Sequence, residues 1–179
     1  MTLLYVCVRP QQGAAIAEYE SFRTAARLEQ GQLHTHDLVR DPLPADAFDR
    51  YSGFFVGGSP FNVTDPESSK TETQRRLEAE LDRLATAAAD PAGPAVLFTC
   101  YGIGVATRTL GGELSRAHPE DTGPSTVSLT PDGERDPIFG GLATRFTALT
   151  AHKEGSATPP PGAVLLATNE PCPVQAYRY

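Results

Sequence analysis

The sequence predicts an α/β fold: a three-layer sandwich with a central, mostly parallel sheet, helices on both faces and an added β-layer late in the chain. Three observations predict it. Short apolar runs, "LLYVCV", "YSGFFVGG" and "AVLFT", recur in the first hundred residues and read as buried strands. Stretches of helical periodicity lie between them, which is the alternation of a parallel sheet. After Gly111 the pieces are strand-like, short and separated by proline and glycine turns, with no long helix.

The elements follow in order. Residues 3–8 form a strand that Pro10 stops. In the next stretch Ala15, Ile16, Tyr19, Phe22 and Ala26 fall at helical spacing, and Gly31 fits a helix C-terminal cap. "QLHTHDL" is a polar edge strand, and "YSGFFVGG" is a buried one ending in Gly57 and Gly58. Ser69 and Glu72 have capping-box spacing. The helix they open runs to about Ala88, with Leu77, Leu81, Leu84 and Ala88 toward the core and Arg75, Arg76, Glu78 and Asp82 on its polar side. "DPAGP" breaks it, "AVLFT" is a strand, and a helix begins near Cys100. "STVSLT", "RFTALT", "AVLLAT" and "VQAYRY" supply the late β-layer.

Composition narrows the function. A chain of 179 residues suggests a single domain, 1–179, with 40% apolar and 21% charged residues. A net charge of −7 and the lack of a Lys/Arg cluster with interleaved aromatics oppose a nucleic-acid partner. No window approaches a membrane span, and the short apolar start has no basic region before it. The three cysteines, Cys7, Cys100 and Cys172, make no disulfide framework, so a reducing, cytoplasmic setting is expected. No cofactor or metal is implied. His34 and His36 share a strand face near Asp37 and Asp41, and a polar edge strand accounts for them. "GIGVAT" misses a dinucleotide fingerprint at Thr107.

The chemistry-bearing stretch is "AVLFTCYGIGVATRTLGG", residues 95–112. A cysteine that follows a parallel strand lies at the carboxyl edge of the sheet, where open α/β folds place their sites. The helix after it turns its N–H groups and positive dipole end toward the thiol and favours the reactive thiolate. The N–H of Tyr101 would face an oxyanion on the attacked carbon, and Gly102 would let helix and strand pack closely. Gly57 and Gly58 end a neighbouring strand and offer a second donor. Free cysteine is also a common core residue, and two glycines also make a plain tight turn, so both readings stay open on these residues.

"GFFVGGSPFN", "TCYGIG", "LGGEL" and "AHKEGSATPPPGAVLLATNEPCPVQAYRY" stand in an order that resembles the class I glutamine amidotransferases, in particular the stand-alone subfamily related to the glutaminase domain of GMP synthetase. The resemblance runs from the strand at 52–57 to the last residue. It implies a flavodoxin-like core and a thiol amidohydrolase that acts on glutamine or a related γ-glutamyl compound, a small-molecule substrate. Cys100 matches the nucleophile and the amides of Gly58 and Tyr101 match the oxyanion hole. Gly57, Gly102, Gly104, Ala151 and His152 match positions that border the substrate. A synthetase or other ammonia acceptor is compatible with the resemblance, but the sequence does not identify one.

Three positions depart from the family's pattern. Phe98 stands where a glycine usually precedes the nucleophile by two residues, and Gly104 stands where a glutamine helps hold the substrate. The family's base, a histidine followed two residues later by glutamate, falls one short strand beyond "CPVQAYRY", so the resemblance implies that the C-terminal part, with two of three catalytic residues, lies outside this sequence. "AHPE" at 117–120 copies that motif locally, but it reads as a solvated loop around His118. The alternative to the enzyme is a non-catalytic relative that binds a small ligand or a protein partner with the same fold. Cys7 is expected in the core and Cys172, between two prolines, in a turn with an accessible thiol.

Overall fold

A computed structural model describes residues 2–179, which divide into two compact units, one ending at Ala106 and the other spanning Thr107–Tyr179. The first unit is α/β. Its strands β1 (Leu3–Cys7), β2 (Leu33–Asp37), β3 (Gly53–Val56) and β4 (Ala95–Phe98) form a parallel sheet in the order β2-β1-β3-β4. That is the flavodoxin-like order, in which each strand's carboxyl end opens on the same edge. Helix α1 (Gln12–Ala25) follows β1, the single turn α2 (Ala47–Arg50) precedes β3, and α3 (Glu72–Ala88) and α4 (Tyr101–Thr109) flank β4.

The strand residues sort onto two faces because side chains alternate along a strand. Tyr5, Cys7 and Leu33 pack against Ala15, Tyr19, Phe22 and Phe55, which seats α1 on one face. Leu4, Val6, Phe54 and Val56 are buried on the other, where α4 brings Gly102 against Val56. Leu77, Leu81 and Leu84 carry the buried stripe of α3, worth about 2 kcal/mol each for full burial.

Several local expectations are corrected. The apolar face of α1 is Ala15, Tyr19 and Phe22, spaced as one stripe, whereas Ile16 is 59% exposed and Ala26 lies beyond the helix. Gly31 does not cap α1. The chain leaves that helix through Arg27 at φ 54°, and Gly31, at φ 93°, serves the later turn into β2. The N-cap of α3 is Thr71, whose hydroxyl accepts from the Gln74 amide at 3.1 Å, while Ser69 ends a short 3₁₀ turn and donates to the Pro66 carbonyl. Glu78, on the expected polar side, is buried. It pairs with Lys70 at 2.8 Å and accepts from the Tyr101 hydroxyl at 3.2 Å.

The second unit is an antiparallel sheet of β5 (Glu120–Leu129), β6 (Arg145–His152), β7 (Val164–Thr168) and β8 (Ala176–Arg178) in the order β6-β5-β7-β8. Val127, Leu129 and Ala167 centre its core, with Phe139, Phe146, Ala148 and Ala176 packed around them. The short helix α5 (Pro131–Arg135) starts at a Thr130 cap and lies so close to β7 that a Cβ at Gly133 would sit 2.0 Å from the Leu166 carbonyl oxygen. Cys172 is not accessible: it is 2% exposed, with Sγ 3.5 Å from the Val174 carbonyl. Cys7 is a core residue, as expected. Among the described residues no helix is long and apolar enough to cross a membrane.

Candidate active site

Cys100 sits between the last residue of β4's extension and the first residue of α4, at the carboxyl edge of the parallel sheet. Its φ is 50°, in the left-handed region that a residue with a side chain rarely adopts. Such a backbone is held only where the surroundings over-determine it, and it concentrates at functional sites. Here the restraints are visible. Thr99 donates to the Val56 carbonyl through its amide at 3.1 Å and its hydroxyl at 2.9 Å, tying the ends of β3 and β4 together. Gly102 then passes so close to β3 that a Cβ there would lie 2.7 Å from Val56 Cγ1. Tyr101 is anchored by its hydroxyl on Glu78 and by an edge contact with Phe61 at 6.2 Å. The thiol is exposed, whereas the other two cysteines are buried.

Gly58 lies beside the thiol: a Cβ on it would be 3.2 Å from Cys100 Cβ and 3.3 Å from Cys100 Sγ. Its amide already has an acceptor. It donates to Glu18 Oε1 at 2.8 Å, so the donor that the sequence assigns to an oxyanion is engaged by a carboxylate of α1. Glu18 is held in turn by Arg9 Nη2 at 3.0 Å and by the Tyr5 hydroxyl at 2.6 Å. Burial, and after it the bond to Glu18, pushes the Tyr5 phenol well above its ordinary value, which keeps it a donor. Gly57 also lies against this carboxylate: a Cβ there would be 2.0 Å from Glu18 Oε2 and 3.1 Å from Tyr5 Cε2. Gly104 is buried in α4, where its amide donates to the Cys100 carbonyl at 3.3 Å.

The first unit therefore brings together Gly57, Gly58, Cys100, Tyr101, Gly102 and Gly104. Ala151 and His152 belong to the second unit, at the end of β6. His152 Nδ1 donates to the Glu154 carbonyl at 2.9 Å, and Nε2 stands 2.9 Å from Glu120 Oε2. Glu120 also accepts from Asn169 at 2.7 Å, from Thr150 at 3.2 Å and from Gln175. Desolvation opposes its charge, but bonds from Ser125, His152, Asn169 and Gln175 outweigh it and hold the carboxyl at about 2. Among the described residues, Glu120, His152 and Cys172 are the one close grouping of metal-ligand side chains. His34 and His36 instead contact the Tyr51 hydroxyl and the Asp41 carbonyl, and the half-buried His118 contacts the Pro171 carbonyl.

Sequence reasoning missed Arg9 and Glu18, and met Glu120 only as the last residue of the "AHPE" stretch. The usable signal for Glu18 is a charged residue flanking the Ala15–Tyr19–Phe22 stripe of α1. Replacing Gly58 by alanine tests the packing directly. Its Cβ would meet Arg9 Nη2 at 2.6 Å and Cys100 Cβ at 3.2 Å. Site chemistry is expected to fall roughly a hundredfold, as for a misplaced reacting group, with the circular-dichroism melt little changed. Unaltered iodoacetamide reactivity at Cys100 would refute the close approach.

A parallel sheet with a strained cysteine between strand and helix is the arrangement of an α/β hydrolase elbow, with sulfur in place of oxygen. No family model matches the chain. GMP synthase [glutamine-hydrolyzing] of Thermomicrobium roseum is 30% identical over 124 residues, which is 69% of this chain and 20% of that protein. The protein of the same name from Thermus thermophilus is 26% identical over 153 residues, 85% of this chain and 27% of that protein. The chain thus spans about a quarter of the length of these relatives. Among solved structures, a glutamine amidotransferase from Thermotoga maritima superposes with a TM-score of 0.78 at 17% identity, covering 100% of this chain and 71% of that one. A glutamine amidotransferase from Methylobacillus flagellatus gives 0.70 at 21% identity, covering 99% and 65%. The structural likenesses bear on the fold. Sequence and fold together place the chain among the class I glutamine amidotransferase-like proteins.

Proposed function

We propose that the protein is a thiol amidohydrolase that hydrolyses the side-chain amide of glutamine, or of a related γ-glutamyl compound, through a thioester on Cys100. The observation that carries this reading is the exposed thiol held at φ 50° between β4 and α4. Cys100 Sγ would attack the amide carbon, the C–N bond would break with release of ammonia, and water would cleave the thioester to give the free acid. The amide of Tyr101 would donate to the tetrahedral oxyanion. The Gly58 amide would join it only once its bond to Glu18 is exchanged for one to substrate. A general base would have to take the thiol's proton and return it to the leaving ammonia. Relatives named GMP synthase suggest a synthetase as the ammonia acceptor.

The test uses the protein expressed from its complete gene. Ammonia release from glutamine is measured, and alkylation by iodoacetamide at pH 6 is followed residue by residue by mass spectrometry. Cys100 is expected to react faster than both Cys172 and free N-acetylcysteine, with glutamine turned over. A Cys100 no faster than N-acetylcysteine, with no ammonia released, would defeat the reading.

A further inference from the structure

Arg9 stands at the edge of the candidate site, and the thiol chemistry above gives it no task. It follows β1 at the carboxyl edge of the sheet, and its side chain is 25% exposed. The position of a Cβ on Gly58 is 2.6 Å from Arg9 Nη2 and 3.3 Å from Cys100 Sγ, so cation and thiol lie within about 6 Å, well inside Coulombic range. Arg9 gives one bond to Glu18 from Nη2, and its buried Nε has no acceptor. A guanidinium carries five N–H donors in a planar fork, so most of this head remains available. On its other side Arg9 lines a cavity of about 200 Å³ with Gln12, Asp37 and Arg40, which does not include Cys100 or Gly58.

We propose that Arg9 binds the free α-carboxylate of the substrate and that Glu18 is its positioning residue. This rests on the reading of the substrate as a γ-glutamyl compound. In such a molecule the α-carboxylate carbon is four bonds from the side-chain amide carbon, a reach of up to about 5 Å at ordinary bond lengths. With the amide carbon at the sulfur, the carboxylate of the same molecule reaches the guanidinium. Arginine suits this task because its fork matches a carboxylate with two parallel bonds. Glu18 fixes the arginine: the Tyr5 hydroxyl holds its Oε2 and the guanidinium pairs with its Oε1, two bonds that remain when the Gly58 amide turns to substrate.

The experiment is calorimetric titration of the complete protein with L-glutamate, the expected product, and with γ-aminobutyrate, which lacks only the α-carboxylate. The wild type is expected to prefer glutamate. Arg9→Gln should weaken glutamate binding at least tenfold and leave γ-aminobutyrate unchanged, while Arg9→Lys should restore part of the loss. In steady state, Arg9→Gln should raise KM for glutamine at least tenfold with kcat within about twofold, and Glu18→Gln should shift KM in the same direction by less. Equal binding of glutamate by wild type and Arg9→Gln, no preference for glutamate over γ-aminobutyrate, or no glutamate binding at all would each overturn the inference. Arg9-dependent glutamate binding on a protein with an unreactive Cys100 would leave the subsite standing and remove the hydrolase. Hydrolysis with a KM indifferent to Arg9 would do the reverse.

Discussion

Replacing Cys100 by serine is expected to reduce glutamine hydrolysis by about a thousandfold or more while leaving the melting temperature nearly unchanged. The two side chains are close in shape, and the thiol is exposed, so little packing is lost. The chemistry is not close. A thiol is partly ionised near neutral pH and intrinsically nucleophilic, whereas a hydroxyl needs its proton removed during attack. A glycine variant separates site from scaffold. Cys100 is held at φ 50°, a conformation that a glycine adopts freely. Cys100→Gly is therefore expected to raise stability by about 1 kcal/mol, the scale of such backbone strain, while removing activity altogether. A residue whose removal stabilises the fold and abolishes turnover is one whose strain serves the site. Loss of stability in Cys100→Gly, measured by urea unfolding, would contradict this. Cys172→Ser should act oppositely, disturbing a buried sulfur and sparing the thiol chemistry.

The sequence made the parallel unit legible because its signals are local. β1, β3 and β4 are short apolar runs bounded by breakers, and the leucines of α3 keep helical spacing over two turns. The turn at Cys100 was visible as an apolar run meeting glycines. What stayed hidden depends on partners remote in the chain. Glu78 reads as a surface residue until Lys70 and Tyr101 meet it. Glu18 reads as a helix-face charge, and only folding brings it to Gly58, forty residues on. Ser69 and Thr71 both offer capping chemistry, and the 3₁₀ turn at Glu67–Ser69 moves the start of α3 to the second. Two flanking prolines suggested an open turn at Cys172, but the Asn169 carboxamide oxygen accepts from its amide at 2.8 Å and folds the turn inward.

Glu120→Gln is expected to destabilise the second unit by about 2 kcal/mol above pH 5, within the range for leaving buried donors without an acceptor. An ionised carboxylate only accepts, and Glu120 uses both oxygens: Oε1 takes Asn169 Nδ2 and the Thr150 hydroxyl, and Oε2 takes Gln175 Nε2 and faces His152 Nε2. A glutamine keeps one acceptor and turns its N–H groups to the other position, so either orientation opposes one amide donor, Asn169 Nδ2 or Gln175 Nε2, whereas a hydroxyl or an imidazole nitrogen can turn to accept. The same bonds hold the Glu120 carboxyl at about 2, below its ordinary 4.5. A depressed folded-state value means that the charged form contributes stability above the unfolded-state value and loses it as pH falls toward the folded one. The stability gap between wild type and Glu120→Gln, followed by urea unfolding, should therefore be full above pH 4.5 and shrink steadily toward pH 2. Other carboxylates titrate in that window too, but they are common to both proteins and cancel in the difference. A gap that stays constant across the window would mean that shape, not charge, gives Glu120 its place at the end of β5. In that case His152 would be held by its bond to the Glu154 carbonyl and by packing.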